Sequence, residues 1–347
     1  MGLTFELPYT TPELPGTGGR IRELCEDFVV KEVPAYEPAG HGEHLFVNLT
    51  RKEMNTRDVA LQLARLFNVP RKAVGYAGLK DKYSQATQTF SVHIGKPDPM
   101  RLADMEALIG ASLPVMVNWV ALHPRKIRAG HLLGNRFTIN ITGVEAGVEE
   151  AVQRAREIAN RLRESGLPNF YGPQRVEEEN VRRGREIVKG SRRVGDRWLR
   201  RFLVTSYIDH LCNQYLKERI RRGVFHWLIR GDIAKKYATG GMFVVEDLEA
   251  EQVRYEKQEI SFTAPIYGPK MWEADGPSRM LELEIMENEG VTLDNLRRLG
   301  VRGSRRLGRL IPYVMVEPAK RGVQLRFSLP KGAYATVVLR EIMKGDG

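Results

Sequence analysis

Apolar and polar residues alternate in several short stretches of the chain, and these stretches cluster near its two ends. A period of two places successive side chains on opposite faces of a β-strand. The stretches with this pattern, or with a short apolar run, are Glu26–Val33, His44–Leu49, Thr87–Ile94, Phe137–Ile141 and Val323–Leu329. Pro34 is expected to end the first of them. We therefore predict strands within the first 145 residues and the last 30.

A second set of stretches has the 3.6-residue periodicity of amphipathic helices. Val148–Ser165 is the clearest, and Gly166 is its expected C-terminal stop. The other predicted helices run from the cap at Asn55 towards Pro70, from Asp98-Pro99 to about Ile109, over Leu199–Arg222, and over Thr336–Met343.

The order of these elements predicts two domains, which also suits the chain length. The middle of the chain is predicted to be mostly helical and loop-like, and residues 246–290 are rich in acids and loops. We therefore expect an α/β (α+β) catalytic domain that is interrupted by an inserted helical domain. The last strand would then return to the first sheet.

The 347 residues include 54 Lys and Arg against 43 Asp and Glu, a formal net charge of +11. This balance suggests a polyanionic partner, nucleic acid first and an acidic membrane second. Arg182–Arg201, with nine Arg or Lys against two acids, and Arg297–Arg309 are dense enough to follow a phosphate backbone. The alternative is a solvated helix face. Phe137, Phe170 and Tyr171 are candidates to stack bases, and the alternative for each is a place in the core.

Cysteine content and hydropathy suggest an intracellular setting. Cys25 and Cys212 are the only cysteines, and neither has the spacing of a zinc site or a disulfide framework. The N-terminus lacks a signal-peptide pattern, and no apolar run approaches the roughly 20 residues of a membrane helix. We expect a cytoplasmic protein with no membrane partner.

Several common catalytic motifs are absent from the sequence. It has no GxxxxGK[ST] phosphate loop, no GxGxxG after a strand, no HExxH and no GxSxG. His41, Glu43 and His44 are close enough in sequence to bind a metal, although histidines in loops usually do not. After these exclusions, the activity that we expect is a reaction on a polyanion that needs neither a cofactor nor a metal.

The stretch GYAGLKDKYSQATQTF, Gly75–Phe90, places one carboxylate in a polar turn before a strand. Asp81 lies between Lys80 and Lys82, and nearby cations favour the ionised form of a carboxylate. A positioned, ionised aspartate serves as a nucleophile or a base. The alternative is a salt-bridged turn aspartate without a catalytic role.

The chain resembles the TruD family of tRNA pseudouridine synthases. The matching stretches occur in the family's order from about residue 20 to 342: EDFVVKEV, GEHLFVNL with NTRDVA, AGLKDKYSQATQ, RKIRAGHLLGNRF, LPNFYGPQR, GSRR and LPKGAYATVVLRE. The resemblance implies a mixed, mostly antiparallel sheet flanked by helices. It also implies a catalytic domain of residues 1–165 and 310–347, with a family-specific insertion domain of residues 166–309.

The resemblance also implies site residues. Asp81 falls on the family's catalytic aspartate, and Arg22 on a basic position that looks like its partner. Asn135, Phe137 and Tyr334 fall on active-site positions, where Phe137 would stack on the base. The other expected substrate-binding residues are Lys80, Gln88, Asn169, Gln174 and Arg175. The sequence departs from the family pattern at Ala86, where a threonine is usual and Thr87 follows one residue later, and at Val176 in place of phenylalanine.

The function that the resemblance implies is isomerisation of a specific uridine of tRNA, at position 13, to pseudouridine. The reaction needs no cofactor, and tRNA is the expected partner, with no obligate protein partner evident. One alternative is a non-catalytic RNA-binding or chaperone module. Another is a metal-dependent nuclease that uses His41, Glu43 and His44.

Overall fold

The computed structural model describes residues 5–95 and 101–345. The chain divides into two compact units. The eight-strand unit comprises Gly16–Ala159, Tyr313–Gly332 and Ile342–Gly347, and the four-strand unit comprises Met1–Pro15, Asn160–Pro312 and Ala333–Glu341. The predicted domain boundaries at residues 165/166 and 309/310 stay a prediction.

The first half of the chain contains most of the longer strands. After a 3-10 turn at Cys25–Asp27, the elements are β1 (Phe28–Pro34), β2 (His44–Arg51), α1 (Thr56–Leu66), a 3-10 turn at Arg71–Ala73, β3 (Val74–Tyr76), β4 (Gln85–His93), α2 (Leu102–Ser112), β5 (Met116–His123), β6 (Leu132–Thr142), α3 (Val148–Ser165) and β7 (Leu167–Pro168).

Helices and short strands alternate in the second half. The elements are α4 (Glu178–Lys189), α5 (Arg197–Arg221), β8 (Ile233–Lys236), β9 (Met242–Val244), α6 (Leu248–Glu256), β10 (Ile260–Ile266), α7 (Gly276–Glu289), α8 (Leu293–Arg298), β11 (Ser304–Leu307), β12 (Arg309–Leu310), β13 (Met315–Ala319), β14 (Gly322–Pro330) and α9 (Ala335–Met343).

The eight-strand unit is built on one mixed sheet, as predicted. In the described residues the strand order is β13-β14-β6-β1-β4-β2-β5, and β3 pairs with β4. β1 and β4 run parallel, and the other pairs are antiparallel. β14 pairs with β6, with Phe327 opposite Phe137. The prediction that the last strand returns to the first sheet is confirmed.

The core of this unit lies on the sheet face that α1 covers. Leu45, Val47 and Leu49 of β2 alternate inward and are fully buried, and Val59 and Leu63 of α1 pack against the same cluster. Arg51 is the next residue of this inward series, so a charged side chain is placed at the end of an apolar row. The loop that carries Asp81 leads directly into β4, beside β2.

The four-strand unit contains a sheet of order β11-β10-β8-β9 and a short β12-β7 pair. The middle segment is mostly helical and loop-like, as predicted, but it also contains this sheet, which was not predicted, and residues 246–290 contain α6, β10 and α7 rather than mainly loops. β10 is buried along nearly its whole length, although its sequence ISFTAPI alternates apolar and polar residues, so the pattern was present and the strand was missed. Its partner β11 carries the buried charges Arg305 and Arg306, which read as surface residues in the sequence.

Buried ion pairs hold the four-strand unit together. Arg219 and Asp232 are almost fully buried with Nη1 2.9 Å from Oδ1, and Ser278 Oγ donates to the same oxygen at 2.6 Å. The Arg219 guanidinium also lies 3.7 Å from the centre of the Phe262 ring. Such a pair is tolerated in the interior because nearly every polar atom has a partner.

Most predicted helices are confirmed, with small shifts at their ends. α3 has the predicted bounds, α5 begins two residues before the predicted start, and β1 continues through Pro34. The predicted helix start at Asp98-Pro99 lies outside the described residues. β5 and β13 were not predicted from the alternation pattern.

Candidate active site

Asp81 lies in the loop between β3 and β4, and the last residues of the loop, directly before β4, fix its position. The backbone N–H of Tyr83 donates to Asp81 Oδ1 at 3.0 Å, and Ser84 Oγ donates to the Asp81 carbonyl at 2.8 Å. These bonds form an Asx-type turn. Two neighbours that the sequence analysis did not single out, Leu79 and Tyr83, are 61% and 60% exposed. Asp81 is thus a held carboxylate flanked by exposed apolar side chains.

Arg22 forms an ion pair with Asp81, as expected from the resemblance. Arg22 Nη2 lies 3.1 Å from Asp81 Oδ2, and the side chains are 28% and 40% exposed. The guanidinium also lies 4.4 Å from the centre of the Phe28 ring. Arg22 has a φ of 60°, a left-handed conformation that is uncommon for a residue with a side chain. The cation is therefore backed by protein while the carboxylate remains open to a ligand.

Arg51 is the residue that holds the loop, and the sequence analysis missed it. Its side chain is 1% exposed. Nη2 donates to the Lys80 carbonyl at 3.0 Å and to Thr56 Oγ1 at 3.3 Å, and Nη1 donates to the Asp81 carbonyl at 3.2 Å and to the Met54 carbonyl. Burial lowers the pKa of Arg51, and the Asp81 carboxylate opposes that shift. An arginine nevertheless stays protonated in a folded protein.

Lys80 and Gln88, two predicted substrate-binding residues, support the same loop from inside. Lys80 Nζ lies 2.6 Å from Glu32 Oε2, and both side chains are under 5% exposed. Gln88 is fully buried, donates to the Gly78 carbonyl at 2.6 Å and accepts from Thr56 Oγ1 at 3.2 Å. Their contact with a substrate stays a prediction, since in this structure their polar atoms bind protein groups.

Thr87 does not replace the threonine that the family pattern has at Ala86. Thr87 Oγ1 is hydrogen-bonded to Thr50 Oγ1 at 2.8 Å, across the sheet face opposite that of Ala86 and Arg51. Successive residues of a strand point to opposite faces, so a shift of one position removes the hydroxyl from the site face. Ala86 is fully buried on that face.

Phe137 and Asn135 project from β6 on the face that carries Glu32 of β1. Asn135 lies opposite Glu32, and its Oδ1 is buried without a hydrogen-bond partner in the described part of the chain. The Phe137 ring is 5.3 Å from the Phe327 ring at 28° and 6.2 Å from the Phe28 ring at 75°. A series of contacts thus runs from the Arg22 guanidinium through Phe28 to Phe137, which is itself 8% exposed.

The remaining predicted site residues form a second cluster in the four-strand unit. Arg175 donates from Nε and Nη2 to Asp209 Oδ2 at 2.9 and 2.7 Å, and burial raises the pKa of Asp209 while Arg175 opposes the shift. Tyr334 lies 5.9 Å from Tyr171 between ring centres. Burial raises the pKa of Tyr334, so its hydroxyl remains a hydrogen-bond donor at neutral pH.

Gln174 and Asn169 also bind protein groups within this cluster. Gln174 Oε1 accepts from Thr336 Oγ1 at 3.4 Å. Asn169 Nδ2 donates to the Leu307 carbonyl at 2.8 Å, and Asn169 Oδ1 accepts from Arg306. Within this segment, residues 173–175 form a turn in which the Arg175 N–H donates to the Gly172 carbonyl at 2.9 Å.

The described residues contain neither a cluster of metal ligands nor a helix suited to cross a membrane. Within residues 5–95 and 101–345, no three His, Cys, Asp or Glu side chains are arranged to hold a metal ion. The His44 and His93 rings lie 4.9 Å apart between centres with their planes tilted by 57°, and His93 Nε2 lies 3.5 Å from Glu43 Oε2. None of the described helices combines the length and the apolar character needed to cross a bilayer.

Comparison with known proteins gives consistent matches over nearly the whole chain. The family model for tRNA pseudouridine synthase D (TruD) matches residues 5–194 and 178–342. A relative named tRNA pseudouridine synthase D from Anaeromyxobacter dehalogenans is 40% identical over 352 residues, which covers 98% of this chain and 97% of the relative. A relative of the same name from Thermus thermophilus is 42% identical over 340 residues, which covers 97% of this chain and 92% of the relative.

A solved structure agrees with the fold described above. The crystal structure of a protein from Methanosarcina mazei named tRNA pseudouridine synthase D (TruD) has a TM-score of 0.77 to this chain. The match covers 98% of this chain and 96% of that chain at 24% identity. At this identity the likeness concerns the fold.

Replacing Arg51 by lysine is expected to loosen the Asp81 loop. One ammonium group in place of the guanidinium removes at least one of the four hydrogen bonds, and a hydrogen bond to a charged group contributes about 1.5–3 kcal/mol. Hydrogen exchange of the amides in residues 79–84 should therefore be about tenfold faster or more. Arg65→Lys, on the exposed side of α1, is the control and should leave these amides unchanged. Equal protection in the two variants would contradict the role given to Arg51.

Proposed function

The chain belongs to the tRNA pseudouridine synthase D family, an isomerase family, and we propose that it converts one uridine of tRNA, the one at position 13, to pseudouridine without a cofactor. The observation that carries this proposal is the Asp81 carboxylate, which is held by its turn, paired with Arg22 and still 40% exposed. A tRNA substrate implies a compartment that contains tRNA, which we take to be the cytoplasm.

The reaction requires little from the protein beyond position and charge. The C1′–N1 bond breaks, the uracil turns over, and C5 bonds to C1′, while the C5 hydrogen is released and N1 takes up a proton. An ionised carboxylate near the ribose serves this sequence in three ways: it attacks C1′, attacks C6 or removes the C2′ proton. We assign this role to Asp81 and leave the three routes open. In each route Asp81 must be ionised, which the Arg22 ion pair favours.

The other residues are assigned by where they lie. Phe137 and Asn135, on the strand beside Glu32, would contact the uracil, and Asn135 Oδ1 has acceptor capacity that protein groups do not use. Tyr334, Asn169, Gln174 and Arg175 would contact the substrate from the four-strand unit. We assign positioning roles to Arg51, Lys80 and Gln88, since Arg51 and Gln88 donate to carbonyls of the loop and Lys80 joins the loop to Glu32 of β1.

The second half of the arginine-rich segment 182–201 has the exposed, unpaired charges that RNA binding requires. Arg182 and Arg192 are ion-paired with Glu179 and Glu186. By contrast, four side chains are exposed and make no ion pair or hydrogen bond with the described residues: Arg193, Arg197, Arg200 and Arg201. In the sequence they lie on either side of Trp198. The Trp198 side chain is 59% exposed, and its ring stacks on the Phe202 ring with 5.5 Å between ring centres. Unpaired cations around an exposed indole suit contact with RNA phosphates and bases.

Asp81→Asn is expected to abolish isomerisation and to leave tRNA binding intact. The amide keeps the size of the side chain and removes the charge, so the rate should fall by about a thousandfold or more. Tritium released from tRNA transcripts labelled at uridine C5 measures the rate, and fluorescence anisotropy measures binding. The control is Asp104→Asn, an exposed aspartate of α2. Normal tritium release by Asp81→Asn would refute the assignment, and loss of affinity alone would favour a binding module.

Arg22→Ala is expected to lower the rate far more than the affinity for tRNA. Without the guanidinium the ion pair to Asp81 and the contact to Phe28 are lost, and we expect kcat to fall about a hundredfold while KM changes by about threefold or less. Arg22→Lys keeps the charge and should recover part of the rate. Arg20→Ala is the control, because Arg20 is exposed and paired with Glu23. Full activity of Arg22→Ala would remove the ion pair from the mechanism.

Replacing the four unpaired arginines by glutamine is expected to weaken RNA binding and reduce its salt dependence. Each phosphate contact contributes about 0.7–0.9 to the slope of log K against log salt, so the slope should fall by about 2 to 4. The control makes the same change of charge at four arginines of exposed ion pairs: Arg161, Arg182, Arg221 and Arg279. Equal slopes for both variants would make this segment an ordinary solvated surface.

A further inference from the structure

An open groove of about 970 Å³ lies in the eight-strand unit and has no role in the site described above. It is lined by aromatic and basic side chains, among them Tyr36, His44, His123, Arg125 and Arg128, and no Asp or Glu lines it. In the sequence, Arg125 and Arg128 belong to the family motif RKIRAGHLLGNRF. Its chemistry therefore calls for a ligand of its own, and the lining favours an anion.

The walls of the groove are fixed by backbone contacts. The loop before β2 packs on the end of β5: the Gly40 N–H donates to the Leu122 carbonyl at 3.0 Å. A Cβ at Gly42 would lie 2.4 Å from the His123 and Pro124 backbone, so only glycine allows this approach. Tyr36 stacks on His123 at 5.1 Å and 24°. The groove is thus a built feature of the fold.

The basic wall is tied to the loop that leads to Asp81. The N–H of Ile127 donates to Ser91 Oγ at 2.9 Å, and the N–H of Gly130 donates to the Ala77 carbonyl at 2.8 Å. Ala77 precedes Asp81 by four residues. A ligand bound to this wall therefore contacts a segment that is hydrogen-bonded to the start of the catalytic loop.

The charges of the groove are available to a ligand. The exposed side chains of Arg125 and Arg128 form no hydrogen bond or ion pair with any residue in the ranges that the structure describes. Lys126 Nζ donates to the Lys72 carbonyl, which holds a third cation beside them. Burial and the charge of Arg125 lower the pKa of His123, and burial, His93 and Lys126 lower the pKa of His44, as expected in a positive field.

We propose that this groove binds backbone phosphates of the RNA substrate through Arg125, Lys126 and Arg128. The inference rests on the proposed function for the identity of the RNA. An RNA backbone fits better than an isolated anion, because the groove is open and three cations line it, so that several phosphates of one strand can be contacted. Bound phosphates would place the strand against the segment that carries Asp81, and the groove would then contribute to affinity rather than to the chemical step.

The test is the double variant Arg125→Gln/Arg128→Gln in the full chain. Binding of a tRNA transcript is measured by fluorescence anisotropy between 50 and 200 mM KCl, and tritium release is measured at saturating tRNA. We expect Kd to rise about tenfold, the salt slope to fall by about 1 to 2, and kcat to stay within about threefold. The matched control is Arg65→Gln/Arg101→Gln, two exposed arginines of the same unit with the same change in charge.

Two results would overturn the proposal: Kd and slope equal to those of the control, or a loss of kcat at saturating tRNA with unchanged affinity. Hydrogen exchange of residues 124–131 in the wild-type protein provides a second measurement, independent of the variant's folding. Protection on adding tRNA supports the groove, and no protection contradicts it. If the wild-type protein releases no tritium, the proposed function fails, while the binding and exchange measurements still decide the role of the groove.

Discussion

The candidate site depends on one buried guanidinium, that of Arg51. Arg51 is the last residue of β2 and lies on the buried face of the sheet. Its guanidinium donates to the carbonyls of Lys80 and Asp81, so it links β2 to the loop that carries Asp81. A buried charge without partners is strongly unfavourable, and backbone carbonyls without donors are unfavourable as well. The loop and the arginine therefore satisfy each other, and the position of Asp81 follows from the sheet rather than from the flexibility of a surface turn.

Two adjacent residues of this loop have opposite environments, and that difference separates support from chemistry. Lys80 points inward to Glu32, in a pair whose side chains are both under 5% exposed. Asp81 points outward and forms an ion pair with the half-buried Arg22. A carboxylate enclosed like Glu32 has no access to a substrate, whereas the Asp81 side chain is 40% exposed. The inward lysine thus fixes the backbone at the residue before the one that we expect to react.

Sequence patterns predicted the parts of the fold that have one apolar and one polar face. β6, β14 and α3 were found because their periodicities are those of half-buried elements. β10 was missed although its sequence ISFTAPI alternates, and Arg51 was missed because a charged residue is normally read as exposed. The loop sequence identified Asp81 as a candidate and the family resemblance added Arg22, and their 3.1 Å ion pair required the structure. The inward positions of Lys80 and Gln88 also depend on long-range contacts: Lys80 pairs with Glu32 of β1, and Gln88 of β4 accepts from Thr56 of α1. A pattern of neighbouring residues in the sequence does not contain such contacts.

The net charge of +11 is a poor guide to where RNA would bind, because the arginines serve two different purposes. Arg51, Arg219 and Arg305 are buried and bind carbonyls or carboxylates, so they contribute to the total charge without offering it to a ligand. Many exposed arginines are neutralised by glutamates one helical turn away, as Arg182 is by Glu179. Among the exposed cations that form no ion pair with the described residues, which also include Arg65 and Arg101, two groups lie close together in the sequence: Arg193–Arg201, on either side of Trp198, and Arg125–Arg128, along the groove beside His123. Because counterion release depends on charges that a phosphate can reach, these two clusters should determine the salt dependence of binding, and total composition should not.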